Sequence, residues 1–121
     1  MMFSLFKLKA ILESKSNFLL ICHEHPDGDS IGALLAMGGI LAGLDKHFQM
    51  VSKDAVPEVF KFLSRANNIT HDFLLGDFDA VILLDNGDFK RTGFSDRLIA
   101  LQKKRIPIVN IDHHPKNDLW K

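Results

Sequence analysis

Only one of the 121 residues is a cysteine, Cys22, so no disulfide can form within the chain and the default redox compartment is the cytoplasm. Net charge is missing as well, because 15 lysines and arginines balance 15 aspartates and glutamates. That balance argues against the broad basic footprint of a duplex-DNA binder, but not against a small phosphorylated ligand held mainly through metals. No apolar run is long enough to cross a bilayer. The opening MMFSLFKLKAILESK mixes lysines with apolar residues and lacks the continuous apolar segment and cleavage site of a signal peptide. Internal repeats and low-complexity tracts are absent, and no G-x-G-x-x-G fingerprint follows the first apolar run. The expectation is a cytoplasmic protein with no membrane association.

What is present is an ordinary globular composition, 46% hydrophobic and 25% charged, enough for a core in one domain or part of one. Leu5, Leu8, Ile11 and Leu12 share a face at helical spacing, which predicts a helix over about residues 3–15. Phe18 to Cys22 is apolar throughout and short, the pattern of a buried strand in a parallel sheet. Ile31, Leu34, Leu35 and Leu41 predict a helix over about 30–43, with Asp29 or Ser30 as its N-cap. His47 to Val51 reads as a short strand, and Val56, Val59, Phe60 and Leu63 as a short helix with Pro57 in its first turn. Ala80 to Leu84 and Ile106 to Ile111 are two more buried strands, with a helix between them from Ser95 to Lys104, capped by Ser95. Residues 64–78 give no clear pattern. Alternating strands and helices predict an α/β fold, a doubly wound, mostly parallel sheet with flanking helices.

Ligands of such sheets bind beyond the C-terminal ends of the strands. Three polar clusters fall there: His23-Glu24-His25-Pro26-Asp27-Gly28-Asp29, Asp85-Asn86-Gly87-Asp88, and Asp112-His113-His114-Pro115. Imidazole mixed with carboxylate suits Mn²⁺, Fe²⁺ or Zn²⁺ better than Mg²⁺. Two adjacent histidines on an extended backbone point apart, so one can ligate a metal while the other faces substrate. Taken singly, each cluster also reads as a polar loop: Asp29 capping a helix, an Asn-Gly turn with solvated acids, a strand-to-helix connection. Arg91 could contact a phosphate or simply be a surface arginine. His47 and His71 read as structural or surface residues, Cys22 as core, and Lys103, Lys104 and Arg105 as solvated charges at a helix C-terminus.

Together the clusters resemble the DHH family of phosphoesterases. His23 to Gly32 is similar to the family's first motif, H-x-x-P-D-x-D; Asp85 sits in a sequence similar to the second; Asp112-His113-His114 is the naming triplet. All three occur in the family's order. The resemblance implies a centre of two divalent metal ions, Mn²⁺ by preference. His23 and Asp27 would bind one ion, Asp29 and His113 the other, with Asp85 bridging both. His114 would contact the substrate phosphate, with Arg91 a further substrate contact, so that Asp85, His113 and His114 carry catalysis. The Pro-Asp-Gly-Asp turn and the Asp88…Arg91-Thr92-Gly93 stretch look most like the branch of nano-RNases that also dephosphorylate 3′-phosphoadenosine 5′-phosphate. The expected partner is therefore a short RNA oligonucleotide or a small phosphorylated nucleotide, in a full-length protein that forms homodimers. A cyclic-dinucleotide phosphodiesterase of the same family and a non-catalytic nucleotide-binding α/β module are the alternatives.

Family members carry a further metal-binding Asp well downstream of Asp-His-His, then a C-terminal DHHA1-type domain with a glycine-rich motif. Neither is present in residues 1–121. The resemblance therefore implies the N-terminal part of a DHH domain, incomplete at its C-terminus, and leads to the expectation that these residues alone fold poorly or have little activity.

Overall fold

Strands apolar at every position need cover on both faces, and the fold supplies it. The computed structural model describes residues 5–86 and 88–111. In chain order, α1 (Leu5–Ser14) leads to β1 (Asn17–Cys22), α2 (Gly28–Gly43), β2 (His47–Val51), β3 (Ala80–Leu84), α3 (Ser95–Lys103) and β4 (Ile108–Ile111). The four strands form one sheet in the order β2-β1-β3-β4, and every pairing is parallel. The α/β fold expected from the sequence is thus the one found.

Alternate residues of each strand belong to different cores. Phe18, Leu20 and Cys22 join Ala80, Ile82 and Leu84 in a cluster with Ile11 of α1 and Ile31, Leu34, Met37 and Leu41 of α2. Leu19 and Ile21 join Val81 and Leu83 on the opposite face, under Leu98 and Leu101 of α3 and the rings of Phe73, Phe78 and Phe94. Phe18, Leu19, Leu20 and Ile21 are all fully buried, and each contributes about 1.5–3 kcal/mol by leaving water. A one-residue slip of β1 would exchange the two cores, so its register is firmly set.

Four local expectations change, the first being that the last strand begins at Ile108 rather than Ile106. The helix after β1 begins two residues early, at Gly28, with Asp27 rather than Asp29 or Ser30 as its N-cap. The helix expected around 56–63 is one 3₁₀ turn, Glu58–Phe60, preceded by Pro57. Val59, which suggested a buried face, is 69% exposed. Ser95 is the first residue of α3 and Phe94 its N-cap, without a side-chain capping bond. Between Thr70 and Asp79 the chain crosses to the second face as irregular structure, anchored by Thr70 bridging Val51 and by Phe73 and Phe78 in the core.

The strand order fixes where a ligand belongs. From β1 the chain moves outward to β2, then returns to β3 on the other side and continues to β4. The crevice at the C-terminal ends of β1 and β3 is the switch point of this winding. Cys22 and Leu84 are paired at that end, so His23 and Asp85 leave neighbouring strands side by side.

Candidate metal centre

The loop after β1 is short and held at several points. His23, its first residue, is 4% exposed. Its Nδ1 bonds the carbonyl of Glu24. A carbonyl can only accept, so Nδ1 is the donor, which leaves Nε2 as the ring nitrogen turned toward the site and the one a metal ion would take. The Glu24 N–H donates to the Arg91 carbonyl, tying the loop to the 3₁₀ turn Lys90–Thr92. At the far end, Asp27 Oδ1 accepts the Ser30 N–H at 2.9 Å and Ser30 Oγ accepts the Asp27 N–H at 2.9 Å, a reciprocal capping box. The Ser30 N–H therefore leads in holding the Asp27 carboxyl below its ordinary range; burial opposes this, and the Ser30 hydroxyl and His23 add to it.

Two residues around the site adopt left-handed backbone, His25 at φ +52° and Asp85 at φ +62°. Outside glycine this region costs roughly 1–2 kcal/mol, less for aspartate than for most residues. At Asp85 it turns the chain sharply as β3 ends, while the Asp85 N–H donates to the Ile111 carbonyl at 2.9 Å. Asn86, fully buried, clamps the two central strands: its Nδ2 donates to Ile21 O at 3.1 Å and to Leu84 O at 3.0 Å.

Among the described residues, one imidazole nitrogen of His23 and one carboxylate oxygen each of Asp27 and Asp85 lie within 4.8 Å of one another. Nε2 of His23 is 3.4 Å from Asp85 Oδ2 and 4.0 Å from Asp27 Oδ1. His23 and Asp85 form a buried floor, and the Asp27 side chain, 62% exposed, stands at the mouth. Two carboxylates converging on one imidazole nitrogen make a pocket whose charge suits a cation. The donor set fits a divalent transition ion that accepts mixed nitrogen and oxygen ligands. Just below, burial pushes the Cys22 thiol up to about 11; the Ser52 hydroxyl opposes this, and Asp85 and Asp27 add to it.

His23, Asp27 and Asp85, read as site residues from the sequence, are therefore brought together. Asp29 lies exposed on the first turn of α2, outside the three-residue group. Arg91 has an exposed side chain, and its carbonyl meets the loop of the site. His113 and His114 lie outside the described residues. His47 and His71 are exposed, the latter with Nδ1 2.9 Å from Ser52 O. Sequence reasoning missed the structural parts played by Asn86 and Ser30. The D-x-x-S spacing ahead of an apolar helix could have revealed Ser30; nothing in the sequence marks the Asn86 clamp.

The model of the DHH family, N-terminal domain, matches residues 17–120. Among solved structures, the fold is similar to that of an exopolyphosphatase-related protein from Bacteroides fragilis. The TM-score is 0.83 over 93% of this chain, at 24% sequence identity. The chain spans 35% of the length of that protein.

Proposed function

The chain belongs to the DHH family through its N-terminal domain, and from this we propose that it supplies the metal centre of a phosphoesterase acting on short oligoribonucleotides, on 3′-phosphoadenosine 5′-phosphate, or on both. The observation that carries the reading is the convergence of His23, Asp27 and Asp85 within 4.8 Å at the switch point of the sheet. His23 and Asp27 would hold one divalent ion and Asp29 and His113 a second, with Asp85 between them; Mn²⁺ is the cation proposed. Bound there, such ions supply Lewis acidity that polarises a phosphoryl oxygen and lowers the pKa of water.

The residues of the chain do the rest. The buried floor of His23 and Asp85 limits water access from below. The Nδ1–H bond to Glu24 keeps Nε2 turned toward the carboxylates. Asp27, at the mouth, completes the charge that a divalent ion balances. Arg91 and His114 are proposed to meet the phosphate of the substrate.

The test is a side-by-side assay with Mn²⁺ of dinucleotides, 3′-phosphoadenosine 5′-phosphate, cyclic dinucleotides, pyrophosphate and polyphosphate. Preferred cleavage of the first two is expected, and Asp85→Ala should abolish it. Preference for pyrophosphate or polyphosphate refutes the substrate assignment. Turnover without divalent metal, or normal turnover in Asp85→Ala, refutes the mechanism.

A further inference from the structure

We propose that Asp54, on the loop that follows β2, is a positioning residue for the metal centre: it fixes the turn at His25 and thereby the approach of Asp27 to His23. The inference rests on the metal-centre reading above and goes beyond it, because Asp54 belongs to neither the ligand group nor the loop that carries it.

His25 is the middle residue of the His23–Asp27 loop, and its φ of +52° is doubly unfavourable. Its Cβ disfavours left-handed backbone, and Pro26 behind it favours extended backbone in the residue it follows. Such a conformation persists only where the surroundings over-determine it. Glu24 and Asp27 are held on either side, and the side chain that bonds His25 itself is Asp54. One carboxylate oxygen, Oδ2, accepts the His25 N–H at 2.8 Å and lies 3.3 Å from His25 Nδ1. The imidazole itself is 92% exposed, so the grip is on the turn rather than on a buried ring.

Asp54 can act as an anchor because it is itself anchored. Ser52 Oγ donates to the Asp54 carbonyl at 2.9 Å, and Ser52 is fully buried with its N–H on Thr70 O at 2.9 Å. Next to it, Lys53 Nζ donates to Gly93 O at 3.1 Å. The segment continues directly from β2, which pairs with β1 from Asn17 to Ile21. The carboxylate is thus held by the same sheet that holds His23, and it returns the loop toward it. Without Asp54, His25 is free to relax to extended backbone. Asp27, two residues on, would then swing away from Nε2, now 4.0 Å from its Oδ1.

Mn²⁺ binding measured by isothermal titration calorimetry, with metal-free thermal melts alongside, tests this. Asp54→Ala should weaken Mn²⁺ by about 10- to 100-fold, the range for residues that orient a ligand without touching the metal. The metal-free melting temperature should change little. Asp54→Asn keeps an oxygen acceptor for the His25 N–H and should bind Mn²⁺ much as wild type does. In a His25→Gly background, where glycine adopts positive φ at no steric cost, the loss caused by Asp54→Ala should shrink. Wild-type affinity in Asp54→Ala overturns the proposal while leaving the metal centre standing, as does an undiminished loss in the glycine background. If Asp54→Ala does not fold, Asp54→Ser, whose hydroxyl is too short to take the place of Oδ2, decides: a loss of tenfold or more supports the role, and wild-type affinity overturns it. Failure of the wild type to bind Mn²⁺ overturns the metal centre and the role of Asp54 together.

Discussion

Asp27 serves the fold with the same carboxylate that the proposed metal centre would use, and substitution can separate the two. As N-cap of α2, its Oδ1 takes the Ser30 N–H at 2.9 Å. Removing such a cap costs about 1 kcal/mol, and in a domain of this size each kcal/mol lowers the melting temperature by roughly 3–6 °C. Asp27→Ala should therefore melt about 3–6 °C lower without metal. Asp27→Ser keeps an oxygen that caps nearly as well and should melt close to wild type. Both lose the proposed ligand, so on that proposal Mn²⁺ affinity should fall in both by at least the roughly 100-fold upper range seen for residues that merely orient ligands. Acid should erase the difference in stability. The folded-state pKa of Asp27 is depressed, first by the Ser30 N–H. Its stabilisation is thus present above the unfolded value, near 3.9, and is lost as pH falls through the folded value. Melts of wild type and Asp27→Ala, followed by circular dichroism without metal, should differ fully near neutral pH and converge below about pH 4. A gap that widens on acidification, or wild-type Mn²⁺ affinity in Asp27→Ser, would refute the reasoning.

Three further outcomes follow from other contacts. Asp79 accepts the N–H groups of Ser16 and Asn17 at 3.0 and 2.9 Å where β1 and β3 begin; burial pushes its carboxyl up, and these bonds with the Ser16 hydroxyl together outweigh it and hold the pKa down. Asp79→Ala should cost about 1.5–3 kcal/mol in urea unfolding at neutral pH and progressively less as pH drops through the folded pKa; unchanged stability counts against the bonds. Gly93 has φ +82°, and a Cβ there would lie 2.4 Å from Lys53 Cδ, so Gly93→Ala should cost about 1 kcal/mol or more, read as a lower urea midpoint at constant m; an unchanged midpoint sinks it. Cys22 is fully buried with its thiol pushed up to about 11, so an aromatic disulfide reagent at mild alkaline pH should label the native protein very slowly and the unfolded protein at once; fast native labelling would contradict the burial.

Much of this architecture could be read in advance because its strands are buried on both faces. Phe18–Cys22 and Ala80–Leu84 have no polar position to confuse the pattern, and both appear as strands. His47–Val51, more mixed in exposure, was nevertheless legible from its length and flanks. The segment around Val56–Leu63 misled because its apolar residues have different tasks: Val56 is buried, whereas Val59 and Phe62 face solvent. Residues 64–78 follow tertiary contacts that no local pattern encodes, such as the edge-on meeting of Phe73 and Phe94 with ring centroids 5.0 Å apart. For the site, His23, Asp27 and Asp85 could be placed together once each was assigned to a strand end. The cap on α2 was misassigned because Gly28 reads as a turn residue, although the helix starts there. The Asp54 contact joins positions 29 residues apart in sequence, and no periodicity announces it.

The pairing of Cys22 with Leu84 sets the scale of the centre. Those two residues are the last rung of adjacent parallel strands, so their backbones are separated by the repeat of the sheet itself, about 4.8 Å, and His23 and Asp85 depart from that rung. Main-chain hydrogen bonding maintains that repeat whichever side chains line it. The span between His23 and Asp85 therefore behaves as a fixed gauge. Every loop around the crevice can be lengthened, exchanged or recoloured with charge, and the gauge from which His23 and Asp85 depart need not be recut.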